Sequence, residues 1–597
     1  MNKTILLLLF GFVLFIPACS GFDDTASPLA ATKTPWIITP DHPLPPTRTP
    51  FLPQGATFTP TRLISTNTGI PTSTAKIATP VIHTATSLPT SFPTIVPGAL
   101  TIGLASNVPA GLRNAIKLPQ GWRISNSPVS TDIQLGLSAA EEPADCEWYY
   151  ALAAPFPTLI DEVSLDELKN AWSGVPSAIF LNKPILVSSD TKAVFEMLWG
   201  TGKSIQVVDR QDLLSAAWER SPSFVILPFD ELEPRWKVIR IDGQSLLDSN
   251  LDRNRYLLKG SFRFSGKQEA LIKVHQLKMS GSPIIPAANW DGKRMTTLIM
   301  TGVTALVRAT GAKMDTLGAK YPGKDIRHWL ISAHLTHISN EVPFATNCPK
   351  ANPFQETLIF CSRPEYIELL DDIGTDIVEL TGNHMMDWGA EAFRYTLDLY
   401  KKRKWVYYGA GLNVEEARKA ALVEHNGNRL AFIGCNPVGP ASNWAKGNSP
   451  GSANCDYPWL RSELMRLQKA GYLPIMTFQY QEIYSLKPTP AQQRDFRAMA
   501  EAGAVIVSGS QSHYPQAIDF YADHFIHYGL GNLFFDQMDE PVAGTRREFL
   551  DRHVFYNNRH ISTELLTAML EDYARPRPMT LSERQTFLQD IFRASGW

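Results

Sequence analysis

The chain has 597 residues, a formal net charge of −2 and 44% hydrophobic residues. Because one hydrophobic core does not serve so long a chain, at least two domains are expected. The nearly balanced charge, with no basic stripe between aromatic residues, argues against a nucleic-acid partner.

The first 19 residues have the pattern of an export signal. Lys3 precedes an apolar run over residues 5–16, which is too short to span a bilayer comfortably. The run ends in Pro17-Ala18-Cys19 and resembles a bacterial lipoprotein signal, in which Cys19 carries the lipid. An ordinary secretory signal cleaved nearby is the alternative. Both interpretations predict an extracytoplasmic protein, and the first makes it a bacterial cell membrane lipoprotein held by a lipid anchor.

Residues 20–97 have a composition unlike the rest of the chain. They hold 14 of the 44 prolines, interleaved with Thr and Ser. Such a segment cannot bury enough apolar surface to fold, so it is predicted to be a disordered linker. It would raise the remaining residues above the membrane.

Export makes disulfides possible, and five cysteines follow Cys19. Four cysteines allow three pairings, and the sequence alone does not choose among them. Proximity favours Cys348 with Cys361 and Cys435 with Cys455, which leaves Cys146 free. The spacings contain no CxxC pair, so a structural zinc site is not expected.

Residues 98–285 alternate strand and helix signals. Strands are predicted at TIGLAS, AIFLN, SIQVVD and SFVILPF, and helices at SLDELKNAWSG, DTKAVFEMLWG and QDLLSAAWERS. Ser164 and Glu167 form a capping box at the start of the first helix, and Gly174 is placed to end it. The alternation predicts an α/β domain with a largely parallel sheet.

Two stretches of this domain resemble the periplasmic phosphate-type substrate-binding proteins. They are APFPTLIDEVSLDELKNAWSG and ILPFDELEPRWKVIRIDG. The resemblance implies a periplasmic-binding-protein-like fold and an extracytoplasmic ligand sensor. No motif identifies a ligand, and a scaffold without a ligand is the alternative.

Residues 286–597 form a second α/β region. The predicted strands include TTLIMTG, RLAFIGCN, LPIMTFQY and AVIVSGS, and DIVELTGNHMMDWG is a strand followed by a loop. Helices are predicted at AEAFRYTLDLYKKRK and PAQQRDFRAMAEAGA. Polar groups at the ends of successive strands converge on one crevice in an α/β sheet. The crevice is expected to contain these residues: Asn340, Glu341, Gly382, Asn383, His384, Gln479, Glu482, Gln511 and His513.

Residues from about 296 to 540 resemble the CapA capsule-synthesis family. The resemblance rests on ISNE, GNHMMDWG, the PTPAQQ run, SGSQSH and GLGNLFFD, in that order. It implies a calcineurin-like metallophosphatase-type sandwich and a role associated with capsule or poly-γ-glutamate. The family's metal ligands imply a site formed at these strand ends.

Three positions depart from what the resemblance implies for a metal site. Val303, Gln479 and Gln511 stand where the family has an aspartate and two histidines. Valine has no donor atom, and a glutamine carbonyl is a weak ligand for zinc or iron. A dinuclear centre is therefore not expected. One weakly bound divalent metal remains an alternative, with these ligands: Glu341, Asn383, His384 and His513.

Three functions follow from these observations. The first is assembly or retention of an extracellular anionic polymer or glycan, in which the crevice binds polymer through neutral amides. The second is a single-metal hydrolase of phosphoester or amide bonds, with His384 and His513 as catalytic residues and Asp387 orienting His384. The third is a ligand sensor that uses residues 98–285. An internal hydrogen-bond network without a ligand is the alternative for the crevice.

Overall fold

A computed structural model describes residues 100–125, 131–138 and 143–597. The predicted signal at 1–19, including Cys19, and the predicted linker at 20–97 lie outside the described residues. We call residues 100–285 the N-terminal region and residues 286–597 the C-terminal region; the boundary between them stays a prediction. None of the helices in the described ranges is long and apolar enough to cross a bilayer.

The N-terminal region contains eleven strands and five helices among its described residues. The strands are β1 Thr101–Leu104, β2 Arg123–Ile124, β3 Ile133–Leu137, β4 Cys146–Pro155, β5 Glu162–Val163, β6 Ile185–Val187, β7 Ile205–Val207, β8 Val225–Pro228, β9 Trp236–Val238, β10 Arg240–Ile241 and β11 Lys259–Gly266. The helices are α1 Ala110–Asn114, α2 Leu165–Trp172, α3 Ser189–Trp199, α4 Leu213–Glu219 and α5 Gln268–Met279.

The main sheet of this region is mixed rather than largely parallel. Its order is β2-β1-β3-β11-β4-β8-β6-β7, and β9 also pairs with β4. Parallel pairs lie at both ends of the sheet, whereas β11 and β4 run antiparallel to their neighbours. The prediction of a largely parallel sheet was wrong. Strands β4 and β11 pair with segments distant in sequence, and the local alternation of strands and helices does not reveal such pairing.

Most local predictions for this region are confirmed, with one exception. Helix α2 begins at the predicted capping box of Ser164 and Glu167. The run AIFLN, however, forms a turn, and strand β6 begins three residues after its end. Leu181 and Asn182 have φ values of 55° and 54°, which a strand does not accommodate. The apolar character of the run comes from Phe180, which is buried against Phe224 at 4.7 Å between ring centroids.

The C-terminal region contains seventeen strands and eight helices, all of them described. The strands are β12 Met295–Thr301, β13 Val303–Thr304, β14 Leu335–Asn340, β15 Ile377–Glu379, β16 Val406–Tyr408, β17 Ala410–Gly411, β18 Ala421–His425, β19 Asn428–Cys435, β20 Gly451–Ser452, β21 Leu473–Gln479, β22 Ile506–Ser510, β23 Ile518–Tyr521, β24 His524–His527, β25 Asn532–Phe534, β26 Arg547–Tyr556, β27 His560–Glu571 and β28 Arg575–Pro578. The helices are α6 Arg308–Leu317, α7 Arg327–Ser332, α8 Ile367–Asp372, α9 Gly389–Arg403, α10 Val414–Arg418, α11 Tyr457–Lys469, α12 Pro490–Glu501 and α13 Leu581–Ser595.

Two sheets face each other in the C-terminal region. One has the order β16-β15-β14-β12-β26-β27-β28, and the other has the order β18-β19-β21-β22-β24-β23. Residues such as Leu298 of the first sheet and Phe432 of the second share one buried apolar cluster. Helices α8 and α9 pack on the outside of the first sheet, and α11 and α12 on the outside of the second. This α/β/β/α sandwich confirms the predicted fold class.

Residues after 540 complete the first sheet. Strand β26 pairs with β12 over seven residues, from Met295 with Tyr556 to Thr301 with Leu550. Strands β27 and β28 extend the sheet beyond it. The segment that carries no recognisable family motif is therefore an integral part of the sandwich.

The two regions share a buried interface. Phe156 of the N-terminal region packs among Phe520, Phe525 and Phe592 of the C-terminal region. Asp161 accepts hydrogen bonds from the Arg584 guanidinium at 3.1 and 3.2 Å, and both side chains are about 5% exposed or less. Buried apolar packing and a buried ion pair thus join the regions.

Both predicted disulfides are present. Cys348 bonds to Cys361, and Cys435 bonds to Cys455. Cys146 is free and buried, and burial raises the pKa of its thiol to about 12. The first disulfide closes the loop that ends at Phe360, beside the crevice described below.

Candidate functional site

The floor of the crevice is built from three amide side chains at strand ends. Gln479 ends β21, Gln511 follows β22, and Asn383 follows β15. Gln479 Nε2 donates to Gln511 Oε1 and, at 3.0 Å, to Asn383 Oδ1. The two glutamines that were predicted to replace histidines therefore contact each other directly.

The loop after β15 lies against the loop after β14 at a glycine. A Cβ atom on Gly382 would lie 2.6 Å from Glu341 Cα and 2.7 Å from Glu341 O. Only glycine permits this approach. It brings Glu341 beside the loop that carries Asn383 and His384.

Glu341, His384 and Asp387 form one wall of the crevice. His384 Nδ1 and Asp387 Oδ2 are 2.7 Å apart, and His384 Nε2 lies 3.9 Å from Glu341 Oε1. The Phe360 N–H donates to Asp387 Oδ2 at 2.9 Å, and the Phe360 ring packs edge-on against His384. Burial alone would lower the pKa of His384, but the Asp387 hydrogen bond and the Glu341 charge outweigh it and raise the pKa.

The SGSQSH turn carries strained backbone. Gln511 and His513 have φ values of 78° and 50°, in the left-handed region that side chains other than glycine rarely adopt. His513 Nδ1 lies 2.8 Å from Asn532 Oδ1, and its ring stacks on Phe535 at 5.0 Å. Within the part of the chain that the structure describes, no hydrogen bond or ion pair joins His513 to His384.

Two predicted crevice residues lie elsewhere. The Asn340 amide donates to Tyr400 Oη at 2.9 Å and to the Val342 carbonyl at 2.8 Å, which places it towards helix α9. Its neighbour Ser339 contacts Ser510 instead, because successive strand residues point to opposite faces. Glu482 is exposed at the rim, where it accepts a hydrogen bond from Tyr484.

Two further residues of the crevice were not predicted. Arg308, at the first position of α6, pairs with the fully buried Asp536. The Asp536 carboxylate also accepts the Ala309 N–H at 3.0 Å. The Arg308 guanidinium lies 5.5 Å from the Phe360 ring centroid and 4.9 Å from that of Phe535. Asp536 ends the GLGNLFFD motif, so its strand-end position is the signal that sequence reasoning had available.

Several buried oxygen atoms around the crevice have no hydrogen-bond partner among the described residues. They are Thr304 Oγ1, Glu341 Oε2 and Gln479 Oε1. Glu341 is 4% exposed and Gln479 is 1% exposed. A buried acceptor without a donor costs free energy. Buried polar atoms without a partner also occur elsewhere in the described chain, for example Glu548 Oε1 and Asp551 Oδ1.

The N-terminal region has its own crevice at strand ends, and the chain itself fills it. The Ala110 N–H at the start of α1 donates to Asp190 Oδ2 at 2.9 Å. Asp190 Oδ1 accepts from Ser188 and from the Thr191 N–H. Asp230 accepts a 2.9 Å hydrogen bond from Asn289 and lies against Gly111. Carboxylates of the chain thus occupy the Ala110 N–H and the Asn289 amide, whereas Trp148 Nε1 and Tyr150 Oη have no hydrogen-bond partner among the described residues.

The metal ligands named from the sequence do not form one compact cluster. Over residues 100–125, 131–138 and 143–597, no group of three or more His, Cys, Asp and Glu side chains is arranged to hold a metal ion. Glu341 and His384 are close, whereas His513 is engaged with Asn532. Val303 is fully buried and offers no donor.

The two facing sheets and their converging strand ends place the C-terminal region in the class of α/β sandwich proteins. Residues 297–537 match the family model described as "Bacterial capsule synthesis protein PGA_cap". This match covers less than half of the chain, and through it the C-terminal region is similar to the CapA proteins of bacterial capsule synthesis.

Two relatives illustrate how far the similarity extends. The chain is 26% identical over 259 residues to "Capsule biosynthesis protein CapA" of Bacillus anthracis, covering 42% of this chain and 63% of that protein. It is 27% identical over 202 residues to "PGA biosynthesis protein CapA" of Bacillus subtilis (strain 168), covering 34% and 52%. The chain therefore spans between half and two thirds of the length of these relatives.

Solved structures with some likeness fall into two groups. The 5'-nucleotidase precursor from Thermus thermophilus is 13% identical and covers 50% of this chain and 59% of its own, with a TM-score of 0.29. An ABC-type phosphate transport receptor from Vibrio cholerae is 11% identical and covers 30% and 92%, with a TM-score of 0.26. Scores this low carry no argument about function.

Proposed function

We propose that this protein acts outside the cytoplasm in the assembly or retention of an extracellular polymer, and that its crevice binds the polymer without dinuclear metal catalysis. Cys19 would tether the chain to the membrane through a lipid. The names of the relatives, which refer to capsule and PGA biosynthesis, support the polymer role. An anionic polymer such as poly-γ-glutamate or a glycan is the proposed partner.

One observation carries the binding role. Buried acceptors at Glu341 and Gln479 have no partner among the described residues, while the oxygens of Asn383 and Gln511 accept bonds from Gln479 Nε2. A polymer rich in hydroxyl and amide groups supplies the donors that these oxygens need.

The donor set also argues against two transition-metal ions. Such ions need anionic or imidazole ligands, but Val303 has no donor. The amide of Gln511 is already bonded to that of Gln479. We propose that an ancestral metal site has been converted to neutral hydrogen bonding.

Polymer binding to the purified protein tests this role. A γ-linked glutamate polymer or a capsule glycan should raise the melting temperature of the wild type, and Gln479→Met should reduce the shift. Gln355→Met is a matched control, because Gln355 lies in the disulfide-closed loop and bonds only to that loop. The binding role fails if neither polymer shifts the melting temperature.

A single-metal hydrolase is the second candidate. The observation that favours it is the Asp387–His384 hydrogen bond, which leaves Nε2 of His384 facing Glu341. Glu341, His384 and His513 would hold one divalent ion, which would supply an activated water. Asp387 would orient His384. Elemental analysis decides: near-stoichiometric Zn, Mn or Fe would favour the hydrolase over the polymer-binding role. If phosphodiesterase activity stays at background when Mn is added, the hydrolase candidate fails.

A further inference from the structure

We propose that the Cys348–Cys361 disulfide controls the order of the crevice wall, and that Phe360 transmits this control. We call residues 348–361 the Phe360 loop and residues 381–388 the site loop. Reduction of the disulfide releases Phe360 and loosens the site loop, while the sandwich stays folded. The effect on polymer binding rests on the proposed function, whereas the effect on the two loops does not.

The Phe360 loop touches the site loop through the residue that precedes Cys361. The Phe360 N–H donates to Asp387 Oδ2 at 2.9 Å, and its ring lies edge-on to His384 with 4.8 Å between centroids. The same Asp387 oxygen lies 2.7 Å from His384 Nδ1, so Phe360 contacts both members of this pair. Phe360 is 4% exposed. Its displacement therefore takes a hydrogen bond from Asp387 and uncovers one side of the His384 ring.

Most of the Phe360 loop between its two cysteines is exposed to solvent. Phe354, Leu358 and Ile359 are 54%, 66% and 54% exposed, in contrast to the buried Phe360. The disulfide joins residues 13 apart in sequence. A cross-link removes the conformational freedom of the open loop, so the closed form that seats Phe360 is favoured while the disulfide is intact.

The second disulfide closes a segment that also contacts the site loop. Asn436 donates to the Thr381 carbonyl at 3.1 Å, and Asn443 donates to the Gly382 carbonyl at 2.6 Å. Cys435 ends strand β19, which pairs with β21, and it is 1% exposed. Segments closed by both disulfides thus hold the site loop, but the second disulfide has one cysteine fixed in the sandwich.

Reduction by a dithiol is the chemical step. One thiolate of the dithiol attacks a sulfur of the Cys348–Cys361 disulfide, and the second thiol resolves the mixed disulfide. The bond between Cys348 and Cys361 breaks, an S–S bond forms in the reductant, and two electrons and two protons pass to the cysteines. Both cysteines are partly exposed and lie outside helices and strands, so they react before the buried Cys435.

Hydrogen exchange on the full chain tests the coupling of the loops. The Phe360 amide should exchange slowly in the oxidised protein, because it is bonded to Asp387. Dithiothreitol, or Cys348→Ser combined with Cys361→Ser, should speed its exchange about tenfold or more, since the open loop gains conformational freedom. Amides of strand β14 should keep their protection, because they pair with β12 and β15 rather than with the Phe360 loop.

Affinity for a γ-linked glutamate polymer tests the consequence for binding. Reduction should weaken binding about tenfold, because the ordered wall is then populated for only a tenth of the time. Phe360→Leu should weaken binding similarly with the disulfide intact, whereas Phe360→Tyr keeps the ring and should preserve the affinity. Leu358→Ala, at a 66% exposed position of the same loop, is the matched control and should change neither exchange nor affinity.

The remaining outcomes separate the inference from the proposed function. Unchanged exchange of the Phe360 amide after reduction overturns the inference, and so does equal polymer affinity of the two redox forms. Loss of protection in β14 overturns it too, because the disulfide would then support the whole sandwich. If the Phe360 amide responds to reduction but neither redox form binds polymer, the proposed function fails and the coupling of the loops stands. If the double cysteine variant does not fold, reduction of the wild type decides.

Discussion

Both regions of this protein place polar groups at the ends of strands, but the hydrogen-bond partners of these groups differ. In the N-terminal region Asp190 accepts the Ala110 N–H, so groups from two helices satisfy each other across the crevice. In the C-terminal region Glu341 and Gln479 keep acceptors without partners. The contrast concerns the carboxylates of the two crevices, because Trp148 Nε1 and Tyr150 Oη of the N-terminal region also lack partners among the described residues.

The difference also separates two roles. The N-terminal region buries apolar and charged side chains against the sandwich, through Phe156 and Asp161. Its own crevice is closed by carboxylates. We therefore assign it a supporting role in the proposed function and expect the ligand in the C-terminal crevice, in contrast to the sensor hypothesis.

The largest expected effect concerns the ion pair that joins the two regions. Burial opposes ionisation of Asp161, but Lys237 and Arg584 outweigh it and lower its pKa to about 2. Asp161→Asn would leave both cations buried without their counter-charge, which costs about 3–5 kcal/mol. Calorimetry should show one lowered transition for both regions. Glu162→Gln, at an exposed neighbour, is the control; two separated transitions in the wild type would contradict a shared interface.

Acid should destabilise the C-terminal region next. Burial lowers the pKa of His337 and of His560 to about 3, so both stay neutral in the folded sandwich. The unfolded chain binds these protons from about pH 6.5 downwards, so stability is lost as the pH falls from there towards 3. Between pH 7 and pH 5 the loss is about 2 kcal/mol for each histidine.

Denaturant unfolding at the two pH values measures this loss. In His337→Gln the stability lost between pH 7 and pH 5 should be smaller by about 2 kcal/mol, the share of one histidine. His275→Gln, on the exposed face of α5, should leave the loss unchanged. An unchanged loss in His337→Gln would mean that other groups govern acid stability.

The wall of the crevice gives a smaller effect of the opposite pH sign. Asp387→Asn removes one of the two carboxylates that raise the pKa of His384 and leaves Glu341, so that pKa should fall. A raised folded pKa stabilises below the ordinary histidine value, and this stabilisation is lost as the pH rises through the folded value. The variant should therefore lose about 1–2 kcal/mol at pH 5 and less at pH 8. Nuclear magnetic resonance titration of His384 checks the shift, with Asp398→Asn on the exposed face of α9 as the control.

The sequence predicted local elements better than their assembly. Helix α2 and strands such as β21 follow from capping residues and apolar runs, which are local signals. The central position of β4 and β11 and the role of β26 depend on pairing between distant segments. The run AIFLN shows the limit of apolar periodicity, because Phe180 is buried from a turn.

The candidate site was predicted to a similar extent. The convergence of Glu341, His384 and Gln479 follows from their places after successive strands. The orientation of Asn340 does not, because one residue along a strand reverses the face. Arg308 and Asp536 are 228 residues apart, so only the folded chain brings them together.

The smallest effect tests the closed crevice of the N-terminal region. Burial opposes ionisation of Asp190, but hydrogen bonds from Ser188, Ala110 and Thr191 lower its pKa. Its stabilisation is present above the ordinary carboxyl pKa and is lost as the pH falls through the folded value. At pH 7 Asp190→Asn should cost about 0.5–1 kcal/mol, since the amide oxygen still accepts the bonds from Ser188 and from the Thr191 N–H.

Binding of inorganic phosphate decides what that crevice does. The wild type should show no change in melting temperature with phosphate, because Asp190 already occupies the Ala110 N–H and repels anions. Asp166→Asn removes one negative charge at an exposed position in the first turn of α2. It is the control for the change of net charge in Asp190→Asn. A phosphate-dependent rise in the wild type would show that the crevice opens to ligands. The contrast between a closed N-terminal crevice and an open C-terminal one would then fail, and the sensor hypothesis would regain its support.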